Sequence, residues 1–299
     1  MKKHINVFLC IMIIGLPNIT GLVITNNLKQ MNSFIVDDVP SWNLKDSWSF
    51  YVSRFQTNFS MSGALIDFDT YSDNLTIRMI GYSELFYILE LSGNLKGSFF
   101  YESGEGIILK GNLFFTKVSG NLYIRKNDLA YDKLQIIIKG IALLVQHPLQ
   151  FNIPIPLPLT ITINVKQNNP RPFIDFPLFD GKQGLINETI ISADIKIESI
   201  VLQILSFFFE SIPYGIYYKD TYNIPVFNYF AKNENISVIA GAFNAYNISF
   251  AWNLFGSVYY APLVGNIIKI ESIIEVPDEF LVLCIGELKD YYYQYDRKK

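Results

Sequence analysis

Gly93-Asn94-Leu95-Lys96-Gly97-Ser98-Phe99 decides the fold class, because the character of the side chains changes at every step. In an extended backbone Gly93, Leu95, Gly97 and Phe99 share one face, while Asn94, Lys96 and Ser98 share the other. That is the pattern of a strand with one face packed and one wet. Glycine on the packed face permits sharp curvature. The triplet Gly-Asn-Leu returns at Gly111 and Gly120, each time opening an apolar stretch, so similar strands are expected side by side in a meander. Around it, from Trp48 to Val165, strand patterns follow one another, and Gln135 to Val145 is apolar enough to be covered on both sides.

The run Ile153-Pro154-Ile155-Pro156-Leu157-Pro158 interrupts the meander. Alternate prolines hold the backbone extended and remove its donors, which excludes helix and a central strand and leaves a connector or a sheet edge. A turn-rich stretch, Asn168-Asn169-Pro170-Arg171-Pro172, then marks a boundary between an N-terminal β half (36–166) and a C-terminal β half (173–296), or a bend within one continuous domain. In the second half, Ile197, Val201, Ile204, Leu205 and Phe208 fall at helical spacing, which predicts a helix over roughly 194–211 with Ser192 as its cap. Ile195-Lys196-Ile197-Glu198 alternates like a strand as well. Because Ile200 to Phe209 is almost wholly apolar, the helix is expected to be buried. Near the end, Ile268, Ile270 and Ile274 oppose Lys269, Glu271 and Glu275, a half-buried strand.

Composition narrows the function classes. The 299 residues are 50% hydrophobic, too apolar for a disordered chain. With 24 Lys and Arg against 27 Asp and Glu, the net charge of −3 gives no reason to expect a nucleic-acid partner. Lys2, Lys3 and the apolar run Ile5 to Leu16, closed by Pro17 and Asn18, read as a signal peptide over 1–21, which places the protein outside the cell or in the envelope. Without that segment Cys284 is the sole cysteine, so stability must come from packing rather than from an internal disulfide. Asn-X-Ser/Thr sequons stand at Asn58, Asn74, Asn187, Asn235 and Asn247.

The material for catalysis is thin. Histidine occurs only at His4 and His147, and no nucleophile elbow, phosphate loop or His-Glu-x-x-His motif is present. Asp67-Phe68-Asp69-Thr70-Tyr71-Ser72-Asp73-Asn74 gathers carboxylates but lacks the remaining ligands and central glycine of a calcium loop, so a solvated turn is expected there. Neither a metal nor a cofactor is expected, and the protein reads as a non-enzyme.

Ala240-Gly241-Ala242-Phe243-Asn244-Ala245-Tyr246-Asn247-Ile248, followed by Tyr259-Tyr260-Ala261-Pro262-Leu263-Val264-Gly265-Asn266-Ile267-Ile268-Lys269, resembles the ending of a group of uncharacterised exported β-domain proteins of archaea and bacteria. Some of those resemble the curved half-barrels of periplasmic lipoprotein carriers. Val39 to Trp48 and Phe176 to Gly184 are similar to the Pro-Leu-x-x-Gly-Lys-x-Trp entry of the same proteins, with Lys45 where glycine is usual and Gly184 where tryptophan is usual. The resemblance implies a fold and a compartment and carries no activity. Physically, Gly241 and Gly265 would allow tight turns, and Phe243, Tyr246 and Tyr260 would pack the sheet.

These readings converge on a mainly β protein: a strongly curved antiparallel sheet, half-barrel-like, in two related halves, wrapping one buried helix. A hollow lined by Ile197, Val201, Ile204, Leu205, Phe208, Phe243, Tyr246 and Tyr260 would suit a lipid or other hydrophobic small molecule, with peripheral contact to a membrane. The first expectation is therefore a binding or carrier protein for an apolar ligand at the cell envelope. A structural or adhesive surface protein with a filled core is the alternative, and an exported hydrolase the third. The oligomeric state is not legible.

Overall fold

The computed structural model describes residues 39–61, 64–147, 154–172, 174–208, 214–251, 254–276 and 280–294. The proposed signal peptide lies outside them. The alternating segments become long strands that pair with their sequence neighbours: β1 (Ser47–Met61), β2 (Ala64–Tyr82), β3 (Phe86–Glu102), β4 (Ile108–Arg125), β5 (Tyr131–Gln146) and β6 (Ile155–Gln167). After a crossing segment come β7 (Gln183–Ile186), β8 (Thr189–Glu198), the helix α1 (Ile200–Phe208), β9 (Ile216–Ile224), β10 (Phe227–Val238), β11 (Gly241–Ala251), β12 (Leu254–Ala261), β13 (Asn266–Val276) and β14 (Phe280–Tyr292). They form one 14-stranded sheet in the order β7-β10-β11-β12-β13-β14-β1-β2-β3-β4-β5-β6-β8-β9, antiparallel throughout, curved and unclosed. The two sequence halves meet where β1 pairs with β14, so they are wings of one sheet.

Curvature follows from local devices. Register shifts interrupt β1 against both neighbours and β2 against β3, and each such bulge bends its strand. At Gly97 (φ +158°) a Cβ would lie 2.0 Å from the Asp69 carbonyl oxygen, so β2 and β3 approach more closely than any side chain would permit. The inner face collects the large side chains: Trp48, Tyr131, Tyr246 and Tyr260 are fully buried, together with Ile77, Met79, Leu89 and Leu113. The outer face alternates with it in polar and exposed residues, as β4 shows along most of its length.

Pro156 and Pro158 of the proline run belong to β6, opposite Leu143 and Ile141 of β5. This is the sheet-edge placement that the missing donors demand. On its other side β6 pairs with β8 only from Thr160 onward, opposite Glu198. The prolines therefore occupy the stretch of β6 with one strand partner, where a missing donor is tolerated, and α1 packs against β6 in place of β8.

Residues 168–172 and 174–182 carry the chain from β6 to β7 at the far edge of the sheet, and Ile174, Phe176 and Leu178 are buried on the way. The Phe176 ring meets Tyr260 edge-on at 5.4 Å between centroids, and the Tyr246 hydroxyl donates to the Leu178 carbonyl at 3.4 Å. This crossing segment fills the inner face along the second wing.

Candidate functional site

The residues expected to line one apolar hollow divide into three groups. Phe243, Tyr246 and Tyr260 are buried in the core of the second wing, as sheet-packing residues. Ile197 lies in β8, not in the helix, because the strand-like alternation of residues 195–198 continues the ladder with β6 and β9. Only Val201, Ile204, Leu205 and Phe208 belong to α1.

The helix starts at Ile200, later than the expected 194, and residues 209–211 of the expected span lie outside the described residues. Its cap is Ser199, whose hydroxyl accepts the Val201 N–H at 3.2 Å, whereas Ser192 sits in β8. Its burial also departs from expectation. Leu202 and Leu205 enter the core, but Ile200, Ile204, Phe207 and Phe208 are 65, 51, 82 and 75% exposed. With no acidic residue in its first turn and no basic residue in its last, α1 presents an uncharged apolar face to solvent. The spacing places Val201, Ile204, Leu205 and Phe208 on one helix but wrongly includes Ile197, and an all-apolar segment carries no signal of which side meets the core. No helix among the described residues is long and apolar enough to cross a membrane.

The motif around Tyr259 to Lys269 has a structural explanation. Its turn offers the Val264 and Gly265 carbonyls to the indole N–H groups of Trp48 and Trp42, each at 2.9 Å. Gly265 (φ +64°) has no room for a side chain, since a Cβ would lie 2.4 Å from the Tyr293 ring. The turn thus clasps the entry to β1 and the exit from β14. Asp46 completes the clasp, accepting the Asn43 N–H at 2.7 Å and the Gln294 N–H at 3.1 Å. Burial raises its carboxyl above the ordinary value of 3.8, against the lowering effect of those two donors.

The clearest ionisable cluster outside the clasp stands on the crossing segment. The buried Lys182 ammonium pairs with Asp175 at 3.0 Å and donates to the Asp175 and Pro177 carbonyls, and the Tyr229 hydroxyl donates to Asp175 at 3.2 Å. Burial lowers the Lys182 ammonium, opposed by Asp175, and raises the Tyr229 phenol. With all three ammonium protons engaged, Lys182 is a strut for the crossing segment, not a nucleophile. A groove of about 610 Å³ opens beside it at the β7 edge, lined by residues including Gln183, Leu185, Asn228, Phe230 and Phe250, none of them an expected site residue.

The carboxylates of residues 67–74 do not converge. Asp69 pairs with Arg54 at 3.0 Å and Asp73 with Lys96 at 3.2 Å, while Asp67 is raised by burial and by Asp69. Among the described residues no group of His, Cys, Asp or Glu is placed to hold a metal ion. Cys284 is buried and its thiol is pushed up to about 12. No protein-family model, curated protein or solved structure matches the chain.

Proposed function

We propose that the protein is a non-enzymatic, exported lipid-binding protein of the cell envelope, and that α1 is where the apolar ligand is met. The exposure of Ile200, Ile204, Phe207 and Phe208 on one short helix carries the reading. Keeping Phe207 and Phe208 in water forgoes roughly 1.5–3 kcal/mol for each side chain that burial would return, so an apolar partner has much to gain there. The position of α1 supports it as well, because the helix replaces β8 beside the proline stretch of β6 and meets the core through Leu202, Leu205 and the half-buried Val201, leaving its opposite face open.

A second reading, a surface protein with a filled core, is favoured by the crossing segment, whose Ile174, Phe176 and Leu178 occupy the inner face of the second wing. One experiment separates them. The protein is irradiated with a diazirine-bearing fatty acid and the adducts are mapped by peptide mass spectrometry. Lipid binding predicts adducts concentrated on residues 200–208 and their loss in a Phe207→Ser/Phe208→Ser variant. Adducts scattered over the surface, or unchanged in the variant, would remove the reading.

A further inference from the structure

Three neighbouring strands have a charge balance unlike that of the rest of the chain. β4, β5 and β6 carry Lys110, Lys117, Arg125, Lys133, Lys139 and Lys166 against the single acid Asp132, in a protein whose net charge is −3. Arg125 is neutralised by Asp128. None of the five lysines belongs to an ion pair among the described residues. Their register sharpens the point: Lys117 stands directly across from Lys139, and Lys133 across from Lys166. Like charges directly opposite each other destabilise a sheet, and apart from the Tyr123 ring under the Lys133 ammonium at 5.8 Å no acidic side chain among the described residues pairs with them.

All five lie on the outer face, since Leu109, Val118, Leu134, Ile138 and Val165 beside them are buried on the inner one. Among them the same face exposes Phe114, Ile137, Ile141 and Val145, with Phe114 directly opposite Ile141. Exposed aliphatic side chains interleaved with unpaired lysines match a bilayer surface, where ammonium groups meet phosphates while apolar side chains enter the boundary below them. A nucleic acid would match the lysines but leave Ile137, Ile141 and Val145 without a partner.

We propose that the outer face of β4–β6 docks on an anionic lipid membrane, with Lys110, Lys117 and Lys139 on the headgroups and Phe114, Ile141 and Val145 at the hydrocarbon boundary. This goes beyond the ligand reading of α1: it adds a second surface and does not require that reading to hold.

Flotation of the full chain with phosphatidylcholine vesicles, with and without phosphatidylglycerol, tests it. Binding should need phosphatidylglycerol and weaken as salt rises. At about fivefold for each lysine near the surface, Lys117→Glu/Lys139→Glu should lower vesicle affinity more than tenfold. Phe114→Ser/Ile141→Ser should lower it too, both variants keeping the wild-type circular dichroism spectrum. Phe207→Ser/Phe208→Ser should still float, so loss of the α1 reading would not be mistaken for loss of this one. Equal flotation with both vesicle types, no flotation with either, unchanged flotation of the lysine variant, or displacement of bound vesicles by a DNA duplex would each overturn the proposal.

Discussion

At Gly97 the backbones of β2 and β3 approach so closely that the Asp69 carbonyl oxygen takes the place of a side chain. Gly97→Ala is therefore expected to destabilise the protein by at least about 2 kcal/mol, the cost of forcing a packed backbone apart, read as a lower urea midpoint. Asp46 gives a pH-dependent expectation. Its folded pKa is raised above 3.8 by burial, so the group bears a cost at neutral pH that is relieved as pH falls through the folded value toward 3.8. In paired urea titrations, wild type should gain stability on Asp46→Asn as the pH is lowered from 7 through that window. A constant difference would refute the assignment. Of these two, Gly97 was legible as a curvature site because glycine stood on the packed face of an alternating strand. The role of Asp46 was not, since its partners Asn43 and Gln294 are joined only when the chain ends meet.

Among the elements, β8 and α1 show where periodicity ceases to decide. Residues 195–198 satisfy strand and helix spacing equally, and the ladder with β6 and β9 makes them strand. Beyond Glu198 no strand partner continues on β6, and Ser199 caps a helix instead. The strands β3, β4 and β13 were readable because one face is wet and the other packed. α1 was not, because its exposed and buried positions are chemically alike, and only its seat on β6 puts Leu205 inside while Phe207 and Phe208 stay outside. The distinction is measurable as stability. Leu205→Ala should cost about 2–5 kcal/mol, as for other buried leucines, whereas Phe207→Ser/Phe208→Ser should stay within about 0.5 kcal/mol for each site. A comparable loss in both would mean that the phenylalanines pack in the core.

On the scale of the whole molecule, the pairing of β1 with β14 makes one sheet of two sequence halves, and the clasp of Trp42 and Trp48 onto the turn at Val264 and Gly265 sits at that seam. Sequence alternation can forecast each strand but not this long-range pairing, which unites residues more than two hundred positions apart. The seam leads us to expect a single cooperative transition, with tryptophan fluorescence and far-ultraviolet circular dichroism coincident in urea. Separate transitions for the two wings would show that the seam does not couple them. The sheet supplies a rigid, curved frame, and the proposed work of the protein falls to the apolar surface held at α1. Native mass spectrometry of the protein purified from cells that make it, followed by organic extraction, tests this most directly. The account predicts a co-purifying lipid on the wild type that is lost from Phe207→Ser/Phe208→Ser. A lipid-free wild type, or equal lipid on both, would contradict it.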